Sequence, residues 1–572
     1  MVNIVSSNDT YGPGAYTDLD PPTVQEDVRR VFELLAAKTP GFTQDRKVLD
    51  AVSFTGSPDT IVPGPLKSGV VASALHAMCG VAANELLTLR DGTDSKDVTI
   101  DTDHASVWLG SVGMPERHGR TVREIAKAGE LASIFDTDLE KDTFATPLKL
   151  RATANYPTKD PSVWYQLHGS LNAEPVLRII GLNPEQPCRD NDEAYRIIAD
   201  RVKQYDANQL EMLNVANGLC GSICYTPKEW SETRMSQDLS RHPLINYSQE
   251  TYAQPTPAVP LPKTMSDKRP LAGIKVVELV RIIAGPVIGT TLASLGADVI
   301  RVNSSALPDF NSLQLSLNAG VRTVEADLRS KKDLERVLEL IDGADVFIQG
   351  YRPGVLARKG LSLHNLLERA NKRGKGIVYV EESCYGPNGP MNERPGWQQV
   401  ADAASGCSYV TGRSLRYNDG TSILPALPVP DMMTGLTGAI GTVMAIRDRA
   451  TKGGSYHVQA ALMAAAAYLV DKEVGLYPPE VVKKCDAKFQ WDTSGPDQFV
   501  LELLDIGLKG WKKVFPERFG DNSPILSEQK GDWGTFRVLK PVAQLANKEV
   551  SPHYTTAPEP NCRRHASQIA WA

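Results

Sequence analysis

The stretch LAGIKVVELVRIIAGPVIGTTLASLGADVIRV, Leu271–Val302, decides the fold class. Ile274 to Val280 is a run rich in β-branched residues, which favours a strand. Gly285-Pro286 then opens a helix, with proline in the first turn, where its missing N–H costs nothing. Val287, Ile288, Leu292 and Leu295 share one helical face, and Gly296 stops the helix. Asp298 to Val302 reads as the next strand. Two short apolar strands joined so closely by a helix imply a right-handed parallel crossover. The alternation continues outward. Arg322–Asp327 reads as a strand, Lys331–Ile341 as an amphipathic helix and Asp345–Ile348 as a buried strand. Leu361–Ala370 reads as a helix and Ile377–Val380 as a strand. The expected class is α/β with a doubly wound parallel sheet. The Gly285-Pro286 turn then lies at the carboxyl edge, where such sheets bind nucleotides.

A dinucleotide site is excluded. The turn runs Ala284-Gly285-Pro286-Val287-Ile288-Gly289 rather than G-x-G-x-x-G, and the second strand ends at Asn303 rather than an acid. At 572 residues the chain has room for two to four domains. Hydrophobic residues at 41% and charged residues at 23% describe an ordinary soluble protein. A net charge of −6 argues against nucleic acid as a partner, yet permits a local basic pocket for a phosphorylated ligand. The eight cysteines are scattered. A lone Cys220-Gly-Ser-Ile-Cys224 is poor zinc evidence, so reduced thiols and no metal are expected. The first thirty residues carry Asp and Pro where a signal peptide has a basic head and apolar core, and the chain ends without a peroxisomal tripeptide. Met432–Ala445 is too short and glycine-rich to span a bilayer. A cytoplasmic location without membrane attachment is expected.

Ala253–Pro270 holds five prolines in eighteen residues and reads as an extended, semi-rigid linker. It divides an N-terminal body (1–252) from a core domain (271–470). Residues 471–572, with few periodic elements, read as a wrapping arm. In the core domain Asp431–Arg449 is an apolar small-residue helix, followed by a short strand at His457-Val458-Gln459 and the Ala-rich helix Ala460–Val470. The N-terminal body repeats this order: Ala72–Arg90 resembles Asp431–Arg449, and Val98–Leu109 parallels Val458–Leu469 at constant offset. It reads as a partial duplicated half-module.

Seven short motifs appear in one order. They are Leu271-Ala-Gly-Ile-Lys-Val-Val-Glu-Leu279, Ala284-Gly-Pro286, Leu295-Gly-Ala-Asp-Val-Ile300, Tyr351-Arg-Pro-Gly-Val-Leu356, Gly386-Pro-Asn-Gly-Pro390, Arg394-Pro-Gly396 and Asp431-Met-Met-Thr-Gly435. This set resembles the family III CoA-transferases, the CaiB/BaiF group that includes α-methylacyl-CoA racemases. The resemblance covers roughly residues 271–470, with weaker likeness at Trp164–Gly169, Gly218–Trp230 and Trp533–Leu539. It implies a Rossmann-like domain, coenzyme A or acyl-CoA as substrate rather than as a resident cofactor, and a carboxylic acid as second substrate. It also implies either an interlocked homodimer or, given the repeat, a pseudo-dimeric monomer.

The resemblance gives Asp431 the role of nucleophile, attacking an acyl-CoA thioester to form a mixed anhydride. A carboxylate needs no base to activate it, and at a helix start the free amides and dipole favour its ionised form. By spacing alone Asp431 reads more readily as a helix cap, and the flanking motifs reverse that. The matching position of the N-terminal copy falls near Ala72, where no acid stands. Arg281, Ala284, Gly285, Arg322 and Arg352 are the positions implied to hold CoA. Departures accompany them: Asn318-Ala-Gly-Val-Arg-Thr323 keeps Arg322 but has lost two basic positions to Ala319 and Val321. Racemases of the family carry a histidine just after the Pro-Gly of Arg394-Pro-Gly396; here stand Trp397-Gln398, and neither can remove an α-proton. His76, His104 and His168 read as packing or surface groups. The leading expectation is a CoA-transferase acting through Asp431. The alternatives are an acyl-CoA racemase or epimerase with a base from elsewhere in the fold, or an inactive acyl-CoA-binding subunit.

Overall fold

Seven strands build the central sheet of the computed structural model, which describes residues 9–571 apart from 93–96, 136–138, 253–254, 265 and 419. They are β1 (Asn246–Glu250), β2 (Lys275–Leu279), β3 (Asp298–Asn303), β4 (Val321–Glu325), β5 (Val346–Gln349), β6 (Val378–Ser383) and β7 (Ser455–Ala461). Their spatial order is β4-β3-β2-β5-β6-β7-β1. Strands β2 to β7 run parallel, and β1 closes the edge antiparallel to β7. Counted from β2 this is the 3-2-1-4-5-6 order of a doubly wound sheet. Val276 on β2 faces Val299 on one side and Val346 on the other, so the order reverses at β2 and β5. Beyond the carboxyl ends of those two strands lies the crevice where such folds bind ligands. The α/β parallel-sheet expectation holds. The linker expectation meets the structure only in part. Ala253, Gln254 and Met265 lie outside the described residues, and β1 brings a strand from before the linker into the sheet.

Three helices set the site's geometry: α1 (Ser68–Asp91), α2 (Ala284–Ser294) and α3 (Val429–Lys452). Helix α3 extends well beyond Met432–Ala445, and both α1 and α3 are long and apolar enough to cross a bilayer. Each is 94% buried inside the protein over its apolar window, packed against the other, and α2 lies on the far side of α3. Close approach depends on glycine. A Cβ on Gly435 of α3 would sit 2.4 Å from the Val287 Cβ and 2.7 Å from the Ala284 carbonyl oxygen of α2. Gly435→Val is therefore expected to destabilise the fold by about 1–3 kcal/mol or more through forced helix separation. Urea unfolding of the variant measures it. At the far end of α3, Arg449 is 1% exposed and pairs with Asp345 at 2.8 Å, anchoring the helix to the amino edge of the sheet.

The N-terminal body carries a second parallel crossover of the same order. Val52–Thr55 pairs parallel with Val98–Asp101, α1 joins them, and the helix Thr102–Trp108 follows. In the core domain β6, α3, β7 and the helix Leu462–Leu469 stand in that order. At the start of α1, where Asp431 has no acidic counterpart, Lys67 is fully buried and bonds Asp18 and Asp27 at 2.7 Å each.

The final hundred residues hold more regular structure than expected: helices Pro479–Phe489 and Val500–Val514, and a hairpin of Leu526–Gly531 with Gly534–Leu539. Gly507 and Gly510 lie within the second of these helices. In the fold they are contact points, with a Cβ on Gly510 reaching 2.0 Å from the Trp491 ring. The tail then runs along the open edge of β4, accepting bonds from Gly320 N to Thr556 O and from Glu325 N to Arg564 O. That covers an edge strand that would otherwise present unpaired amides.

Candidate active site

Asp431 is the third residue of α3, after Val429 and Pro430, and Pro428 precedes the helix without a side-chain cap. Its carboxyl faces a cavity of about 60 Å³ at the carboxyl edge of the sheet. Ile282 and Ile283, which follow β2, form one wall. Ile282 has φ +69°, a strained conformation for a β-branched residue and one held only where surrounding contacts impose it. Three chain regions supply the rest: His168 and Phe144 from the N-terminal body, Phe310 and Trp397 from the core domain, and Phe499 from the C-terminal arm.

Burial pushes the Asp431 carboxyl up to about 7. This differs from the expectation that the helix dipole keeps it ionised; desolvation outweighs the dipole. Glu382, at the end of β6, is pushed up to about 8 by burial and then by the charges of Asp431 and Glu381. Asp402 is fully buried and held well above the usual carboxylate range by burial, with the Asp431 charge adding to it and a bond from Gln398 opposing. Burial thus raises all three carboxyls, and at Glu382 and Asp402 the Asp431 charge adds to it. The Cys384 thiol stays protonated because burial raises it far above the normal range.

His168 lies in the wall, its ring parallel to Trp397 with centroids 5.5 Å apart. Its Nδ1 accepts from Ser170 N at 2.9 Å, so its Nε2 carries the proton and donates to Gln399 Oε1 at 3.1 Å. Burial lowers its pKa to about 4. Both nitrogens are committed and the ring is neutral, which leaves no base there. Trp397 donates from Nε1 to Ser170 Oγ at 3.1 Å. His76 packs edge-on against Trp108 and His104 bonds the Lys540 carbonyl, both as packing groups.

The implied CoA positions separate. Arg281 and Arg352 follow β2 and β5 at the carboxyl edge. Arg281 donates to Pro308 O at 2.9 Å and lies 5.6 Å from the Tyr351 ring; Arg352 is exposed and donates to Gly218 O at 3.3 Å. Ala284 and Gly285 are buried in packing: Gly285 presses on Val280, and the Ala284 carbonyl meets Gly435. They stand behind the cavity wall rather than in it. Arg322 is a correction. It sits at the start of β4, at the opposite edge of the sheet, in a two-pronged ion pair with Asp298 at 2.6 Å, and bonds the Ala570 carbonyl. Asn318 of the same motif bonds the tail at Glu559 O. That motif anchors the C-terminal tail. Sequence reasoning did not single out Glu382 or Asp402, and its reading of His168 as a packing group agrees with the stacking on Trp397. The adjacent acids Glu381-Glu382 ending an apolar strand, and Gln398 and Asp402 one helical turn apart, were the available signals.

The chain matches the model of CoA-transferase family III over residues 271–487. It is 44% identical to an acyl-CoA transferase of Gibberella moniliformis over 569 residues, 99% of each chain. It is 35% identical to the acetyl-coenzyme A transferase nodX of Hypoxylon pulicicidum over 446 residues, 74% of this chain and 72% of that one. Human succinyl-CoA:glutarate CoA-transferase is 32% identical over 193 residues, 32% of this chain and 42% of its own. A crystal structure of a CAIB/BAIF family protein from Brucella suis covers 35% of this chain and 55% of its own at 29% identity, with a TM-score of 0.31. An enzyme of the acyl-CoA-transferring class is thus defined, and the chain belongs to CoA-transferase family III.

Proposed function

We propose that this enzyme moves CoA between carboxylic acids through covalent attachment of the acyl group to Asp431. The observation that carries the reading is geometric: Asp431, in the first turn of α3, is the one carboxyl among the described residues lining the cavity at the carboxyl edge of the sheet. An Asp431 oxygen attacks the thioester carbonyl, the C–S bond breaks, and CoA leaves as thiolate with the electron pair, giving a mixed anhydride. The thiolate attacks the aspartyl carbonyl, releasing the donor acid as carboxylate and leaving an aspartyl-CoA thioester. The acceptor carboxylate then attacks that carbonyl and expels the thiolate. Finally the thiolate attacks the acceptor's carbonyl, which makes the new acyl-CoA and frees Asp431. No net proton is consumed. Arg281 and Arg352, at the same edge, are suited to CoA phosphates.

The racemase reading is disfavoured at His168, whose two ring nitrogens are both engaged. An inactive subunit is disfavoured by the retained Asp431. The test is mass spectrometry after incubation with acyl-CoAs and hydroxylamine. An aspartyl hydroxamate at Asp431, absent from Asp431→Ala, supports the proposal; no adduct with an acyl-CoA that binds overturns it.

A further inference from the structure

We propose that the acyl group this enzyme accepts is short and apolar, with no charge beyond the reacting carboxyl, and that Phe144, Phe310 and Phe499 select it. The inference rests on the reading of Asp431 as nucleophile. With the thioester carbonyl at Asp431, the acyl chain projects into the cavity beside it, since the CoA phosphates belong at the sheet edge near Arg281 and Arg352. That cavity, about 60 Å³, has room for about four to six water-sized groups. Its floor is aromatic. Phe144 stacks on Phe310 with centroids 5.1 Å apart and planes 14° apart, and Phe499 leans on Phe144 at 4.8 Å.

Asp431 is the one ionisable side chain besides neutral His168 among the described residues lining this cavity, and no lysine or arginine is among them. Several polar groups of the wall are already engaged: Gln398 Nε2 donates to Asp402, and its free Oε1 is an acceptor that cannot hold a carboxylate. His168 is bonded to Gln399 and Ser170, Trp397 to Ser170, and Thr153 Oγ1 accepts from Gly169 N at 3.0 Å. The distal carboxylate of a succinyl or glutaryl group would be buried among rings without a cation, beside the Asp431 charge. Such a burial is heavily penalised. Phe144 and Phe499 both lie outside residues 271–487, the part matching the family model, so most of this floor comes from the flanking bodies.

The experiment compares rates of Asp431 acylation by acetyl-, butyryl-, hexanoyl- and succinyl-CoA, each trapped with hydroxylamine and located by mass spectrometry. Butyryl-CoA is expected to react at least about 100-fold faster than succinyl-CoA, a discrimination of the size an unpaired buried polar group imposes. Phe499→Ala and, should that variant fail to fold, the milder Phe310→Leu are expected to shift the preference toward hexanoyl-CoA by about tenfold or more. Equal acylation of Asp431 by succinyl- and butyryl-CoA overturns the inference and leaves the nucleophile standing. Adducts absent with all four thioesters sink the nucleophile itself. Floor variants that slow every acyl-CoA equally, with raised KM for CoA, place the pantetheine arm here instead and also overturn it.

Discussion

Asp431→Asn is expected to lower kcat/KM for CoA transfer by at least about 10⁴ while leaving CoA binding within about threefold. Asparagine has nearly the same shape, so the cavity and the start of α3 persist, but an amide oxygen cannot open a thioester under these conditions. Losses of that size follow when a covalent nucleophile is removed and positioning remains. Calorimetric titration with CoA separates this from a folding defect. Retained turnover would reject the aspartyl intermediate. The same variant carries a second signature in stability. Because the Asp431 carboxyl stands at about 7 in the fold, against about 3.9 in an unfolded chain, the folded state holds the extra proton. The group's favourable contribution is complete below pH ~4 and is lost as pH rises toward and through 7. Asp431→Asn should therefore be more stable than the wild type at pH 8, by up to about 4 kcal/mol, and equal to it at pH 4. Urea unfolding at the two pH values reads this difference.

The second large effect is on rate against pH. Acylation requires the ionised carboxylate, so kcat/KM for adduct formation should rise with pH and level off above 7. At pH 5 it should be about one-hundredth of the plateau, as for a single ionisation near 7. An alkaline limb should follow near 8, when Glu382 also ionises and a second negative charge opposes the incoming carboxylate. Glu382→Gln should remove the alkaline limb and keep the acidic one. A profile flat from pH 5 to 9 would show that Asp431 is charged throughout and that burial does not govern it.

The parallel crossovers were legible because each strand is a short apolar run and helices such as Lys331–Gly343 and Leu363–Lys372 have one clean apolar face. Gly285-Pro286 and Gly296 mark their boundaries within a residue or two. Asp431 was legible through its neighbours, since its own spacing fits a cap as well. Arg322 was misplaced because a motif says which residue is basic, not which end of the strand it occupies; the answer lay in Asp298, twenty-four residues earlier. The cavity floor was not legible at all. Phe144, Phe310 and Phe499 are more than 150 residues apart in sequence, and no local pattern tells that three rings meet. The helix Val500–Val514 was obscured by glycines whose purpose is to admit Trp491 and Leu427, contacts that exist only after folding.

The buried lysine at the start of α1 bears on stoichiometry. A crossover of the same order as the one carrying Asp431 ends there in a closed electrostatic plug, Lys67 between Asp18 and Asp27, instead of an acid facing a cavity. We propose that this crossover serves architecture rather than reactivity. Active-site titration should then count one acyl group per polypeptide, with α1 as the wall against which the helix carrying Asp431 is held.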